Sequence, residues 1–281
     1  DDAGYFWGWR DEPRRMNIYI PMEIKTREIE GKTLLALAAA ERGHKVVLGS
    51  KEDTVAFARN GLLTPGVLHV KSLEPWPGKL KSLAAMRSHG HVITSQDEES
   101  GLLEQSYESF ARKRYSAETC SMVSRIFCWG LHDARALRDM YGHAGTTILA
   151  TGSPRVDFWR PDLSGYYARD RDAPAARFGD YVLVSSNFIR VLNIRRFWEL
   201  LDVRRDRNQL GGDAEYAMYG EAGWSMCLLG EYVRMIRRLA SLEPGIRIVV
   251  RPHPTEAEEA WRVLIGDCPN VVVTREGTLM K

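Results

Sequence analysis

Short runs of β-branched and apolar residues alternate along this chain with longer stretches of helical pattern, and that alternation leaves few folds open. Strands are expected at residues 17–20 (ended by Pro21), 45–48, 67–70, 91–94, 125–129 and 146–150. Helical patterns lie between several of them, at 33–42, 78–88, 102–114 and 132–141. Gly43 stands where a helix C-cap needs a left-handed residue. Strands joined by helices of this length give βα units and a parallel sheet. The pattern then breaks at 158–180, a Pro-, Gly-, Asp- and Arg-rich stretch that reads as a linker. It resumes with strands at 181–185, 246–250 and 270–274 and helices at 225–242 and 256–265. The expected fold is α/β, with two Rossmann-like, doubly wound parallel-sheet domains facing a cleft. Residues 1–157 form the first, 158–180 the linker, and 181–281 the second. The last strand is followed by no closing helix, so the second domain is expected to be incomplete at its C-terminus. At the other end, Met16 is a candidate native start, and the opening carries Tyr5, Phe6, Trp7 and Trp9.

The 281 residues suit two modest domains, and 44% hydrophobic residues supply core for both. A net charge of +2 argues against a nucleic-acid-tracking surface. No stretch approaches the roughly 18–20 apolar residues that cross a bilayer, and no secretion-signal pattern opens the chain. Cys120, Cys128, Cys227 and Cys268 show no C-x-x-C spacing, so they are expected to be reduced and mostly buried, with no disulfide and no zinc. The expected location is cytoplasmic. A peripheral association with the inner face of the membrane stays open, because Arg190, Arg195, Arg196, Arg204, Arg205 and Arg207 could meet anionic lipid or form a solvated helix face.

In open parallel sheets, ligands bind beyond the carboxyl ends of the strands. The segments there are PMEIKTRE (21–28), SQDEESG (95–101), WGLHD (129–133), TGSPRVD (151–157), SSNF (185–188) and RPHPTE (251–256). Asp97, Glu98 and Glu99 are three adjacent carboxylates that repel one another. One of them is a candidate general base or nucleophile, its pKa raised by its neighbours. Metal ligation and an acidic helix start are the alternatives. Asp97 is the first choice, being nearest the strand end. Arg251 and His253, stiffened by Pro252 and Pro254, can donate to a phosphate. Ser185, Ser186 and Asn187 let backbone N–H groups approach it, though such residues are also common in turns. Glu23, Lys25 and Arg27 suit a charged substrate lip or a solvated cluster. Gly152 shapes an interdomain turn in which Arg155 and Asp157 could pair. His132 and Asp133 suit a site or a surface helix. No G-x-G-x-x-G, Walker loop, G-x-S-x-G elbow or D-x-D motif is present.

Taken together, IYIPMEIKTREIEGKTLLALAAAERGHKVVLGS, DEESG, TGSPRVD, SSNF and RPHP, in this order, resemble the bacterial surface carbohydrate biosynthesis proteins over roughly 16–281. That family is similar to GT-B glycosyltransferases, including sialyltransferases and β-linked Kdo transferases. The resemblance implies transfer of a sugar from a nucleotide donor, such as CMP-Kdo, to a surface polysaccharide, lipopolysaccharide or lipid-linked glycan, without a cofactor or metal. It implies a catalytic carboxylate among Asp97, Glu98 and Glu99, and nucleotide phosphate contacts from His253 and Pro254. Ser100 stands between the acidic run and Gly101, so all three carboxylates remain candidates. A CDP-glycerol-type phosphotransferase, a nucleotide-sugar epimerase and a non-catalytic nucleotide- or glycan-binding protein are the competing readings.

Overall fold

A computed structural model describes residues 15–99, 106–206 and 210–276. The aromatic opening, Ser100, Gly101, the first part of the helix expected over 102–114, and Arg207 lie outside the described residues. The chain divides into two compact units between Gly165 and Tyr166.

The first unit carries six parallel strands: β1 (Asn17–Met22), β2 (Lys45–Ser50), β3 (Val67–Val70), β4 (Val92–Gln96), β5 (Arg125–Cys128) and β6 (Thr147–Ala150). Their order is β2-β1-β3-β4-β5-β6. The chain therefore winds one way from β1 to β2 and the other way from β3 onward, which places a topological switch point between β1 and β3. Leu68, Ile93 and Ile126 alternate inward from three adjacent strands and pack in one core with Leu83 and Leu137 from flanking helices. Each such side chain, fully buried, contributes about 1.5–3 kcal/mol. Gly66 lets β3 lie close to β1, since a Cβ there would sit 2.3 Å from the Asn17 carbonyl oxygen.

β1 does not stop at Pro21. It continues to Met22 and pairs Pro21 with Gly49 of β2. Its ladder to β3 involves only Ile18 and Tyr19, so beyond that point β1 has a partner on one side alone. A proline is tolerated at such a position because a missing N–H costs no second ladder. The helix expected over 33–42 begins earlier, at Lys25, and runs to Glu41. Gly43 follows it with φ of 82°. A helix also fills Lys51–Arg59, N-capped by Ser50, whose Oγ accepts from the Asp53 backbone N–H.

In the second unit β7 (Tyr181–Ser185), β8 (Arg247–Arg251) and β9 (Val271–Val273) are parallel in the order β7-β8-β9. Ile248, Val250, Trp261, Ile265 and Ile236 form its core, the last from the 31-residue helix Gly212–Leu242. The stretch expected as a linker instead carries a helix at Ala168–Phe178, with Pro174 inside it. The Arg-rich segment is helical as well. Arg195 and Arg196 pair with Glu199, Arg205 with Asp202 and Glu215, and Arg190 with Glu221, so these cations carry their own counter-charges. Cys120 and Cys128 are buried, and burial pushes both thiols up to about 12. Cys227 is exposed, against the expectation of burial, on a helix that shows it to solvent. Among the described residues, no helix is long and apolar enough to cross a membrane.

Candidate functional site

At the switch point the strand ends of the first unit open onto a cavity of about 400 Å³. Glu23 and Arg27 from beyond β1, Lys51 from beyond β2, Lys71 and Glu74 from beyond β3, and Glu99 and Arg114 line it. Glu23 and Arg27 thus sit where the substrate lip was expected, while Lys25 lies outside the lining. Lys25 and Arg27 occupy the first turn of the Lys25–Glu41 helix. That turn has no side-chain cap from its N-cap, Ile24. Glu28 supplies one from inside the helix, accepting from the backbone N–H groups of Glu23 (3.0 Å) and Ile24 (3.2 Å).

Glu28 is almost fully buried, and two ammonium groups compensate it: Lys32 at 2.7 Å and Lys71 at 3.1 Å. Burial alone would raise its pKa, but the Lys32, backbone and Lys71 hydrogen bonds override this and hold it at about 2. Lys71 also reaches Glu23 at 2.6 Å, and Lys51 meets the same carboxylate at 2.8 Å. Lys32 donates to the Pro21 carbonyl as well, at 2.5 Å, so the irregular end of β1 is tied to the helix below it.

The acidic run follows β4. Its three carboxylates coexist because each meets different surroundings. Asp97 is 1% exposed and takes a bidentate ion pair from Arg114, at 2.8 and 3.2 Å. It also accepts from the Glu99 backbone N–H (2.9 Å), and its carbonyl accepts from Trp129 Nε1 (2.8 Å). Glu99 lies 3.6 Å from Arg114 on the cavity side. Glu98 faces Lys32 at 3.7 Å, with 17% of its side chain exposed. Burial pushes the Glu98 pKa up and the Glu28 charge adds to this, against Lys32, Lys71 and Arg155. Among the described residues, no group of three His, Cys, Asp or Glu side chains is arranged to hold a metal ion.

Gly152 follows β6 with φ of 84°, and its carbonyl accepts from Gln96 Nε2 at 2.6 Å. Arg155 and Asp157 do not form the expected ion pair. Pro154–Asp157 is one helical turn, and residues two apart on a helix point to different sides. The turn packs instead on the Lys25–Glu41 helix, where a Cβ on Gly31 would lie 3.0 Å from the Arg155 backbone nitrogen. It belongs to the first unit. His132 and Asp133 begin the Leu131–Tyr141 helix.

In the second unit the register sets Ser185 beside Arg251, and the Ser186 N–H donates to the Arg251 carbonyl at 3.2 Å. SSNF and RPHP are thereby neighbours at one sheet edge. Glu256, the residue that sequence reasoning passed over, holds them there. Its buried carboxylate accepts from Ser186 Oγ (2.6 Å), His253 N (3.1 Å), Trp261 Nε1 (3.0 Å) and Phe188 N. His253 Nδ1 accepts from the Thr255 N–H at 3.2 Å. A neutral His253 therefore carries its proton on Nε2, as a donor. Pro254 and Asn187 are exposed, and Arg251 is half-buried beside them. The His253 imidazole N–H can donate to an anion, and the Arg251 guanidinium, whose Nη1 donates to the Arg275 and Glu276 carbonyls (3.2 Å each), adds its charge beside it.

The first unit's cavity also shows Lys79 and Trp76, which sequence reasoning missed. Their one available signal was a Lys- and Trp-bearing loop directly after a strand end. Protein-family models give no match to this chain, and neither do curated proteins.

Proposed function

We propose that this chain is a glycosyltransferase of the GT-B type that moves a sugar from a nucleotide-linked donor to a glycan acceptor. The observation that carries the reading is Glu98. It is the carboxylate of the acidic run that combines partial exposure with a raised pKa, and it stands at the carboxyl edge of a parallel sheet. Asp97 has both carboxylate oxygens engaged by Arg114. Glu98 takes the proton of an acceptor hydroxyl, whose oxygen attacks the donor's anomeric carbon. The bond from that carbon to the phosphate oxygen breaks, and the leaving nucleotide keeps the electron pair. His253 Nε2–H and Arg251 stabilise the phosphate charge that develops, a contribution of about 2.7–4 kcal/mol for a well-aimed donor. The resemblance of the DEESG and RPHP blocks favours a CMP-linked donor and a bacterial surface glycan as acceptor.

Titration of the full chain with CMP, UDP and CDP, repeated with His253→Ala, tests the donor site. Selective binding of CMP, weakened about tenfold by the substitution (about 1.4 kcal/mol), is the expected result. A preference for CDP would turn the reading toward a glycerophosphotransferase. Binding of none of the three would contradict the donor site.

A further inference from the structure

Two of the cations that line the cavity at the switch point, Arg27 and Lys79, have no carboxylate partner among the described residues, while Glu28 and Asp97, behind the lining, also neutralise Lys71 and Arg114. The lining includes five cationic side chains, Arg27, Lys51, Lys71, Lys79 and Arg114, against three carboxylates, Glu23, Glu74 and Glu99. Glu23 is taken by Lys51 and Lys71. Glu74 and Glu99 both turn to Arg114, at 3.5 and 3.6 Å. Among the described residues, no carboxylate pairs with Arg27 or Lys79. The Lys79 ammonium instead donates to the Ser72 carbonyl, at 2.6 Å. One carbonyl uses one of its three N–H bonds. Burial, followed by the Lys51 charge, brings the Lys79 pKa down to about 8, with Glu74 and Glu23 opposing the shift and Arg114 adding to it. An ammonium held among other cations gains most from an anion.

The wall beside this ammonium is aromatic. Trp76 is 49% exposed and lines the cavity. Gly78, at φ of 93°, leaves room for it: a Cβ there would lie 2.9 Å from the indole ring. A flat apolar face next to unmatched cations suits a ring that is apolar on one side and carries a negative group at its edge, as an acidic sugar does. The cavity volume lies in the range of small-molecule sites.

We propose that this cavity binds an acidic sugar, its carboxylate or phosphate held by Lys79 and Arg27 and its ring packed on Trp76. The inference rests on the transferase reading only in making that sugar the acceptor. The anion site stands on the first unit's own geometry. Its pH dependence follows from Lys79. The ammonium is charged below pH 8 and neutral above it, so affinity falls as pH rises from 7 to 9. Lys79→Arg keeps the affinity and loses that dependence.

Calorimetric titration of the full chain with glucuronate, glucose 6-phosphate and glucose tests the proposal, with CMP titrated alongside. The expected result is binding of one or both acidic sugars at least tenfold tighter than glucose. Lys79→Gln should weaken it about tenfold. Arg27→Gln, on an exposed first turn, should do the same without disturbing the Ser72 loop. Glucuronate alone identifies a carboxylate site, glucose 6-phosphate alone a phosphate site, and either supports the proposal. It is overturned if glucose binds equally well, if neither substitution changes affinity, or if neither acidic sugar binds at about 20 mM, well above a weak millimolar dissociation constant. CMP binding without acidic-sugar binding sinks this inference and leaves the transferase reading. Acidic-sugar binding without nucleotide binding does the reverse.

Discussion

Replacing Arg114 with methionine is expected to destabilise the protein by about 3–5 kcal/mol, the range for stripping one partner from a buried ion pair. The cost comes from what is left behind. Asp97 is 1% exposed, and without Arg114 its carboxylate keeps, among the described residues, the Glu99 N–H at 2.9 Å. Glu74 and Glu99 lose their shared cation too. Urea denaturation followed by circular dichroism measures the loss. Adding Asp97→Asn to Arg114→Met should recover part of it, because the uncompensated buried charge goes with the carboxylate. An Arg114→Met protein as stable as the parent would show that the pair is not what keeps the acidic run folded.

Glu256→Ala should act on the second unit with comparable force, about 3–5 kcal/mol. The substitution orphans four donors at once, and two of them, the Phe188 N–H and Trp261 Nε1, belong to residues at 7% and 0% exposure. Water does not reach such groups without opening the core. The other two, Ser186 Oγ and His253 N, set the shape of the SSNF and RPHP turns. Glu256→Gln keeps an acceptor oxygen but turns an amide N–H₂ toward other donors, so it should lose a smaller part of the stability. In Glu256→Gln, nucleotide affinity should fall along with stability if these turns form the donor site. Denaturation midpoints and nucleotide titrations on the same two variants read both effects. Stability lost with affinity intact would place the nucleotide elsewhere.

The sequence pattern located most of the fold because the strands are buried on the inward side. Val67–Val70 begins and ends on β-branched residues, and Tyr181–Ser185, built around Val182 and Val184, has the expected bounds. Gly43 marked a helix end because only a residue free of a Cβ penalty takes φ of 82° readily. What escaped was held by tertiary contacts. The helix start at Lys25 has no Ser, Thr, Asp or Asn at its N-cap. Glu28 caps it from within, which makes sense only once Lys32 and Lys71 converge on the same carboxylate. The Lys51–Arg59 helix did carry a signal, Ser50 three residues before Asp53, and it was overlooked. The 168–178 helix was hidden by Pro174 and a run of charges that read as linker.

Site residues divide in the same way. The positions of Asp97, Glu98 and Glu99 after β4, and of His253 after β8, follow from strand ends and could be read off the chain. Which carboxylate is free to work could not, because Arg114 lies 17 residues from Asp97 and Lys32 far upstream of Glu98. Glu256 was visible as the last letter of RPHPTE, but its role needs the Ser186 and Trp261 partners that folding brings to it.

The most direct test of the account is donor turnover by Glu98→Gln, measured as nucleotide released from the CMP-linked sugar in the presence of acceptor. The account predicts a loss of about 100-fold or more, in the range for removal of a general base. Nucleotide affinity and the denaturation midpoint should stay at parental values, because the ion pair that Glu98 makes among the described residues is a 3.7 Å contact with Lys32. In the parent, turnover should rise with pH through a pKa above the ordinary glutamate range, since the base works only once its proton has left. A Glu98→Gln protein that turns over donor at the parental rate would contradict the assignment of this carboxylate as the base.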